Sequence, residues 1–272
     1  MELRYTLIDP TKNITLLVTS PVPRSLQAQT ANFLLKRHPE AEQVGFREAP
    51  EDPEIAQARL QMMGGEFCGN AAMSLGAWLS RENRLPWGEQ HQWQLEVSGA
   101  SEPVECTVTA VSGGYLGEVA MPLPEEISTQ MFPLHGEAAL LETVHLPGIC
   151  HILLPAAMID CDEAEALLRQ WSAALPEAAV GLLLWEEEAC RFTPLVYVKA
   201  TDTAIWEQGC ASGTAAVAAA LTCRRRSGQC LSVRQPGGTI AAVTGYEGGQ
   251  LTSLHIHGTV TMGRNFRTAL EL

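Results

Sequence analysis

Apolar and polar positions alternate along most of this chain, and a few stretches of helical spacing interrupt the alternation. Residues 3–8 alternate and predict a strand. Asp9-Pro10-Thr11-Lys12-Asn13 predicts a turn, and the β-branched run 14–18 a second strand, so the two form a hairpin. Asn13 closes that loop, a place where asparagine tolerates left-handed backbone. Residues 23–37 predict an amphipathic helix with Leu26, Ala31, Phe33, Leu34 and Leu35 on its apolar side. Residues 43–46 predict a short strand that starts on a solvated Gln43. Strands at 95–97, 104–108 and 115–121 turn at Gly99 and at Gly113-Gly114. Residues 122–133 are turn-rich and polar and are expected to connect two lobes. Beyond them, strands are expected at 151–154, 180–185, 195–198, 231–234, 239–243, 254–257 and 260–262. A helix is expected at 162–171, with Asp162 and Glu163 in its first turn.

Two stretches share one plan. Gly64-Gly65-Glu66-Phe67-Cys68-Gly69-Asn70-Ala71-Ala72-Met73 and Trp206-Glu207-Gln208-Gly209-Cys210-Ala211-Ser212-Gly213-Thr214-Ala215 each place a cysteine where a glycine-bounded loop enters an alanine-rich helix. Superimposing Cys68 on Cys210 matches Asn70 with Ser212 and Ala72 with Thr214, at an offset of 142 residues, about half the chain. Each copy is followed by a strand and a glycine turn, Val97-Ser98-Gly99 and Gln235-Pro236-Gly237-Gly238. The repeat predicts two similar lobes, residues 1–123 and 124–272, with the two thiols approaching one substrate from opposite sides. A thiol at a helix N-terminus meets unpaired N–H groups and the positive end of the dipole. Both favour the thiolate, so Cys68 is expected to have a lowered pKa. A single cysteine is more often a packed core residue; a matched pair in glycine-bounded helix mouths is not explained that way.

Composition narrows the function. The formal net charge of −13 argues against a nucleic-acid or acidic-membrane partner. The one basic run, Arg224-Arg225-Arg226, is expected to complement a helix C-terminus. Eight scattered cysteines show neither a CxxC pair nor zinc-finger spacing, and no phosphate-cradling glycine loop precedes a lysine. His255 and His257 share a strand face but lack a third ligand nearby, so they read as a solvated face. No metal and no cofactor are therefore expected. No apolar stretch reaches membrane-spanning length, and the start of the chain does not read as a signal peptide. A reducing cytoplasm is the expected compartment.

The runs Glu66-Phe67-Cys68-Gly69-Asn70 and Cys210-Ala211-Ser212-Gly213-Thr214 resemble those of the diaminopimelate epimerase-like superfamily of cofactor-independent racemases and epimerases. Within it, Asn13-Ile14-Thr15, Glu42-Gln43-Val44-Gly45-Phe46, Val97-Ser98-Gly99, Ile205-Trp206-Glu207 and Gln235-Pro236-Gly237-Gly238 look most similar to histidine racemases that supply D-histidine for opine-type metallophores. The resemblance implies an α+β fold of two pseudo-symmetric lobes, each a mostly antiparallel barrel-like sheet around a central helix. It implies a homodimer, a small amino acid as substrate, and Cys68 and Cys210 as the acid/base pair. It also implies substrate contacts from Asn13, Gln43 and the backbone N–H groups of Gly69, Asn70, Ala211, Ser212 and Gly213. Two departures matter. Residues 199–209 contain no arginine, where diaminopimelate epimerases carry a Glu-Arg pair, and Ala211 stands where the superfamily usually has glycine.

Racemisation needs a base on one side of Cα and an acid on the other. Two thiols suit that task, and helix N-termini can hold the carboxylate that accepts the charge. The missing arginine disfavours a second amino-acid head group. An imidazole asks only for an acceptor such as Glu66 or Glu207 and a flat wall such as Phe67. Three other readings stay open: a diaminopimelate epimerase or phenazine-type isomerase of the same fold, an amino-acid-binding protein, and a thiol-redox protein.

Overall fold

Strand β1 (Glu2–Pro10) buries Leu3, Tyr5 and Ile8 and leaves Glu2 and Arg4 in solvent, the alternation of a strand with one face on a core. It pairs antiparallel with β2 (Thr15–Val18). Helix α1 (Arg24–Arg37) leads to β3 (Gln43–Glu48), parallel to β2, and β4 (Ala58–Met62) returns antiparallel. Helix α2 (Gly69–Glu82) leads to β5 (Gln90–Val97), parallel to β4, and β6 (Val104–Val111) and β7 (Gly114–Ala120) complete a meander. The core face of α1 is Gln27, Thr30, Ala31 and Leu34. Phe33 and Leu35 are only partly covered, so its apolar side is narrower than the sequence suggests.

The hairpin β8 (Glu126–Leu134) and β9 (Glu137–Leu146) comes next. Strand β10 (Ile149–Pro155), helix α3 (Cys161–Ser172), β11 (Ala179–Glu186), β12 (Arg191–Val198) and the short β13 (Thr203–Trp206) follow. Helix α4 (Ala211–Arg225), β14 (Cys230–Gln235), β15 (Gly238–Glu247) and β16 (Gln250–Ala269) end the chain.

This computed structural model describes residues 1–199 and 202–270. Internal contacts divide it into two compact units, Met1–Ala120 with His257–Leu272, and Met121–Ile256. The end of β16 therefore belongs with the first unit, where the sequence placed all of 124–272 in one lobe. The cause is pairing: β16 runs antiparallel to β1 from Pro10 opposite Val260 to Glu2 opposite Ala269. In the first unit the order β1-β2-β3-β4-β5-β6-β7-β16 closes by that pairing into a barrel around α2. In the second the order is β16-β15-β14-β12-β11-β10-β9-β8, with β13 on β12. Helix α4 packs on β9, β10 and β15 of that sheet, and α3 packs against β8, β11 and β12.

One plan recurs. Every parallel pair, β2–β3, β4–β5, β10–β11 and β12–β14, joins strands linked across a helix, and the other pairs described are antiparallel. The series β1-β2-α1-β3-β4-α2-β5-β6-β7 is repeated as β9-β10-α3-β11-β12-α4-β14-β15-β16, with β8 and β13 as additions. The fold is α+β with mostly antiparallel sheets.

The helices that follow the two cysteines are buried nearly all round. Small residues make that possible. A Cβ at Gly76 of α2 would lie 2.6 Å from Cys106 Sγ on β6. In α4 the run from Ala215 to Ala220 is wholly covered. Met73 and Leu75 anchor α2, and truncating such a side chain costs about 2–5 kcal/mol.

Four strands, β4, β8, β9 and β13, escape the sequence pattern, and two expected strands merge into one. Residues 122–133, expected to be a connecting passage, contain most of β8. It ends the strand order and buries only Phe132 and Leu134, so no alternation marks it, and Pro133 sits on it as edge strands allow. The expected strands 254–257 and 260–262 are one strand, β16, because Gly258 continues the ladder with Thr11 and Met73 close over it. The basic run does more than face a dipole. Arg224 and Arg225 pair with Glu187 at 2.9 and 3.3 Å, and Arg226 takes the left-handed cap conformation. His257 lies 3.6 Å from Glu118 on a half-covered strand face.

Candidate active site

Cys68 and Cys210 are the N-cap residues of α2 and α4. Both are extended, with φ/ψ of −133°/110° and −112°/106°. Each sulfur takes the N–H of the third helical residue: Ala71 N lies 3.4 Å from Cys68 Sγ, and Gly213 N lies 3.3 Å from Cys210 Sγ. This is the bond that serine or aspartate caps usually make. It points each sulfur into the first turn, where N–H groups at Gly69, Asn70, Ala211 and Ser212 lie beyond intrahelical pairing.

Around Cys68 the side chains form one network. The thiol donates to Gln43 Oε1 over 3.1 Å. Gln43 Nε2 donates to Asn13 Oδ1 at 2.6 Å and to Thr15 Oγ1 at 2.8 Å. Asn70 Nδ2 donates to the same Asn13 oxygen at 3.0 Å, and Asn13 Nδ2 donates to Glu42 Oε2 at 2.5 Å. Asn13, Gln43, Asn70 and Cys68 are thus brought together. The turn's left-handed residues are Thr11 and Lys12, not Asn13, whose buried amide is instead the hub. Gln43 is not a solvated strand end; it holds the thiol.

The loop before Cys68 is braced from β5. Ser98 Oγ donates to Glu66 O at 2.8 Å and accepts from Met62 N at 2.9 Å. Gly99 has φ +79°, and a Cβ there would sit 2.4 Å from Phe67 N, so only glycine lets the loop come this close. Burial raises the Glu66 carboxyl pKa, while N–H groups of Gly64 and Glu66 oppose the rise. Glu66 is a brace of its own loop. Phe67 is buried rather than presented as a wall.

Around Cys210 the partners differ. Cys210 N donates to Gln235 Oε1 at 2.6 Å, Gln235 Nε2 to Thr214 Oγ1 at 2.8 Å, and Thr214 Oγ1 to Cys210 O at 2.8 Å. Ser212 Oγ lies 3.5 Å from Cys210 Sγ and 2.9 Å from His151 Nε2. Burial pushes the Cys210 thiol well up; the charge of Glu207 and its hydrogen bond with the thiol add to this, against the pull of Ser212 and Gly213 N–H. His151 is fully buried, and burial lowers its pKa to about 3, so the ring is neutral. A Cβ at Gly181 would lie 2.2 Å from His151 Nδ1; glycine makes the hollow for the ring.

Gly213 begins the same helix as Ala211 and Ser212. Its N–H, expected to meet the substrate, lies 3.3 Å from Cys210 Sγ, the contact an N-cap side chain makes with the third N–H of its helix. Ala211 is buried and Ser212 half-buried in the first turn. The arginine-free stretch 199–209 includes Ala200 and Thr201, which lie outside the described residues. Sequence reasoning gave no role to Glu42, His151 or Gln235, although Glu42 and Gln235 stand in the runs 42–46 and 235–238 that carry the resemblance.

Among the described residues no helix is long and apolar enough to cross a membrane. The sequence profile of the family described as "Histidine racemase CntK N-terminal domain" matches residues 2–265. A histidine racemase of Staphylococcus aureus is 29% identical over 244 residues, 88% of this chain and 87% of its own. One of Fusobacterium nucleatum is 28% identical over 225 residues, 79% of this chain and 80% of its own. The solved structure of a hydroxyproline epimerase from Agrobacterium vitis, with bound trans-4-OH-L-proline, matches with a TM-score of 0.74 at 14% identity, over 99% of this chain and 93% of that one. That is a likeness of fold.

Proposed function

The chain belongs to the histidine racemase family, and from that premise we propose that it interconverts L- and D-histidine with Cys68 and Cys210 as its two acid/base groups. As a racemase it is an isomerase. The observation that carries the mechanism is the matched pair of N-cap thiols, each bound to the N–H of its own helix's third residue.

The thiolate form of one cysteine takes the Cα proton and becomes a thiol. The electron pair left on Cα spreads into the carboxylate, and the other cysteine's thiol delivers its proton to the opposite face. No group is oxidised or reduced. Burial and the Glu207 charge favour the thiol form of Cys210, the Cys68 thiol is held by Gln43 Oε1, and whichever cysteine has given up its proton is the base for that direction of the reaction. Gln43 and Asn13 hold the Cys68 thiol. Asn13 is too deeply buried to act by touch and works through Gln43 and Asn70. The first-turn N–H groups of Gly69, Asn70, Ala211 and Ser212 receive the carboxylate, whose charge grows in the transition state. The chain works without pyridoxal phosphate or metal in this reading, since the helix mouths supply the charge stabilisation. Neutral His151 fixes Ser212 beside Cys210.

For the substrate side chain, histidine rests on the family and on the lack of an arginine in residues 199–209 to pair with a second carboxylate. We assign the product D-histidine to metallophore supply, and the protein to a reducing cytoplasm, where its free cysteines stay reduced, as a homodimer.

The deciding experiment incubates the reduced protein in deuterated water with L-histidine and, separately, LL-diaminopimelate, and reads chirality and mass together. D-histidine carrying deuterium at Cα is expected. Faster turnover of the diaminopimelate, or no D-histidine, overturns the substrate assignment. Tight binding of histidine without Cα exchange overturns the racemase mechanism.

A further inference from the structure

A second cysteine environment lies elsewhere in the Met121–Ile256 unit. Along β10, alternation sends His151 to Ser212 at the start of α4 and sends Cys150 the other way, into the core shared with Leu168 and Trp171 of α3. Cys150 stands opposite His145 of β9 in antiparallel register. Its Sγ lies 3.8 Å from His145 Nε2, and His145 Nδ1 lies 2.5 Å from Glu177 Oε1. The side-chain amide of Gln130, on β8, lies 3.2 Å from the same Nε2. The thiol, a ring nitrogen and a carboxylate oxygen all lie within 4.8 Å of one another. The cluster is dry: Cys150 is fully covered, and the His145 and Glu177 side chains are 9% and 11% exposed.

Hydrogen bonding alone leaves this cluster incomplete. Glu177 Oε2 is buried with no hydrogen-bond partner, a costly state for a carboxylate. The donor types are those of zinc. A tetrahedral ion bonded at about 2.0 Å to imidazole and about 2.3 Å to sulfur sets those atoms about 3.5 Å apart, close to the spacing present. A carboxylate on the far nitrogen is the arrangement that fixes the tautomer of a metal-binding imidazole and raises its basicity.

We infer that Cys150 Sγ and His145 Nε2 bind one zinc-class divalent ion, with Glu177 orienting the imidazole through Nδ1–H and Gln130 turning its amide oxygen to the ion. On binding, the thiol proton leaves to solvent and the sulfur and nitrogen lone pairs form the two bonds; nothing is oxidised or reduced. Soft sulfur with imidazole selects zinc or cobalt over magnesium or calcium. The ion ties β8, β9, β10 and the segment ahead of β11 together, a structural role separate from Cys68 and Cys210.

The test uses the full chain, reduced and treated with chelator, titrated with Co²⁺. One equivalent is expected to give a thiolate-to-cobalt charge-transfer band with the visible bands of a tetrahedral ion. Zinc should bleach both and raise the melting temperature. C150S and H145A should lose the bands, E177Q should weaken cobalt binding about 10- to 100-fold, and the double variant C68S/C210S should keep them. No thiolate band in the wild type, a band that persists in C150S, or one lost in C68S/C210S overturns the site. Should C150S fail to fold, E177Q decides, and cobalt affinity unchanged in that variant overturns the inference.

Discussion

Gln43 Oε1 accepts the Cys68 thiol proton over 3.1 Å, and the amide cannot turn to offer its nitrogen instead, because that nitrogen is held by Asn13 and Thr15. The amide therefore orients the S–H and leaves the sulfur lone pairs to Ala71 N–H and to the substrate side. Gln43→Ala should keep the fold and lower kcat/KM about 10- to 100-fold, the range for a hydrogen bond to a group that becomes charged. A positioning role also moves the pH profile of kcat. Unchanged kcat with an unchanged profile in that variant would remove Gln43 from the mechanism.

Cys68→Ser and Cys210→Ser should each cut racemisation by about 10²–10⁴, the contribution of a positioned acid or base. Serine is a good N-cap, so melting temperatures should stay near the wild-type value. Exchange of the Cα proton with solvent, measured by mass spectrometry, separates loss of chemistry from loss of binding. A folded single variant that racemises at near-normal rate contradicts the two-thiol assignment.

His151 makes stability acid-sensitive. Its folded pKa of about 3 lies below the ordinary 6.5, so between those values the unfolded chain binds a proton that the folded chain refuses. Stability from this group is present above pH 6.5 and is lost as pH falls, by roughly 2 kcal/mol between pH 7 and pH 5. Urea unfolding at the two pH values should show this loss, and His151→Asn should remove it. Equal slopes in the two proteins would mean that the ring is charged in the fold.

Gly99→Ala attacks the Cys68 loop from outside the site. The added carbon meets Phe67 N at 2.4 Å with φ at +79°, so about 1–3 kcal/mol of strain is expected before any displacement of the loop. Activity should fall further than stability, because the displaced segment carries the cap. Gly113→Ala, at the same sign of φ but with open space around it, is the control. Similar losses of activity in both would assign the effect to backbone strain alone.

The cysteine mouths were legible because their chemistry requires a local pattern: bare glycine, a capping thiol, then small helix formers. The duplicated plan was legible for the same reason, and the order of strands and helices repeats it. What escaped was set by distant partners. Asn13 looks like a turn residue until Gln43, Asn70 and Glu42 arrive from three other places in the chain. His151 looks like any residue opening a strand, since the hollow that neutralises it belongs to Gly181 on the neighbouring strand. Strand β8 lacks an alternating pattern because the sheet covers it on one edge only.

Under the proposed two-thiol mechanism, the sulfurs that cap α2 and α4 also couple the reaction to the helices themselves. A sulfur that gains negative charge binds its N–H more strongly, and one that gains a proton binds it less. Each turnover by the two-thiol route exchanges which sulfur carries the proton, so it tightens one helix start and slackens the other. The enzyme that releases a D-enantiomer is then not the enzyme that bound the L-form. Until a proton crosses back through solvent, it is set for the reverse reaction, and the handedness of its last substrate is written in which helix is the firmer.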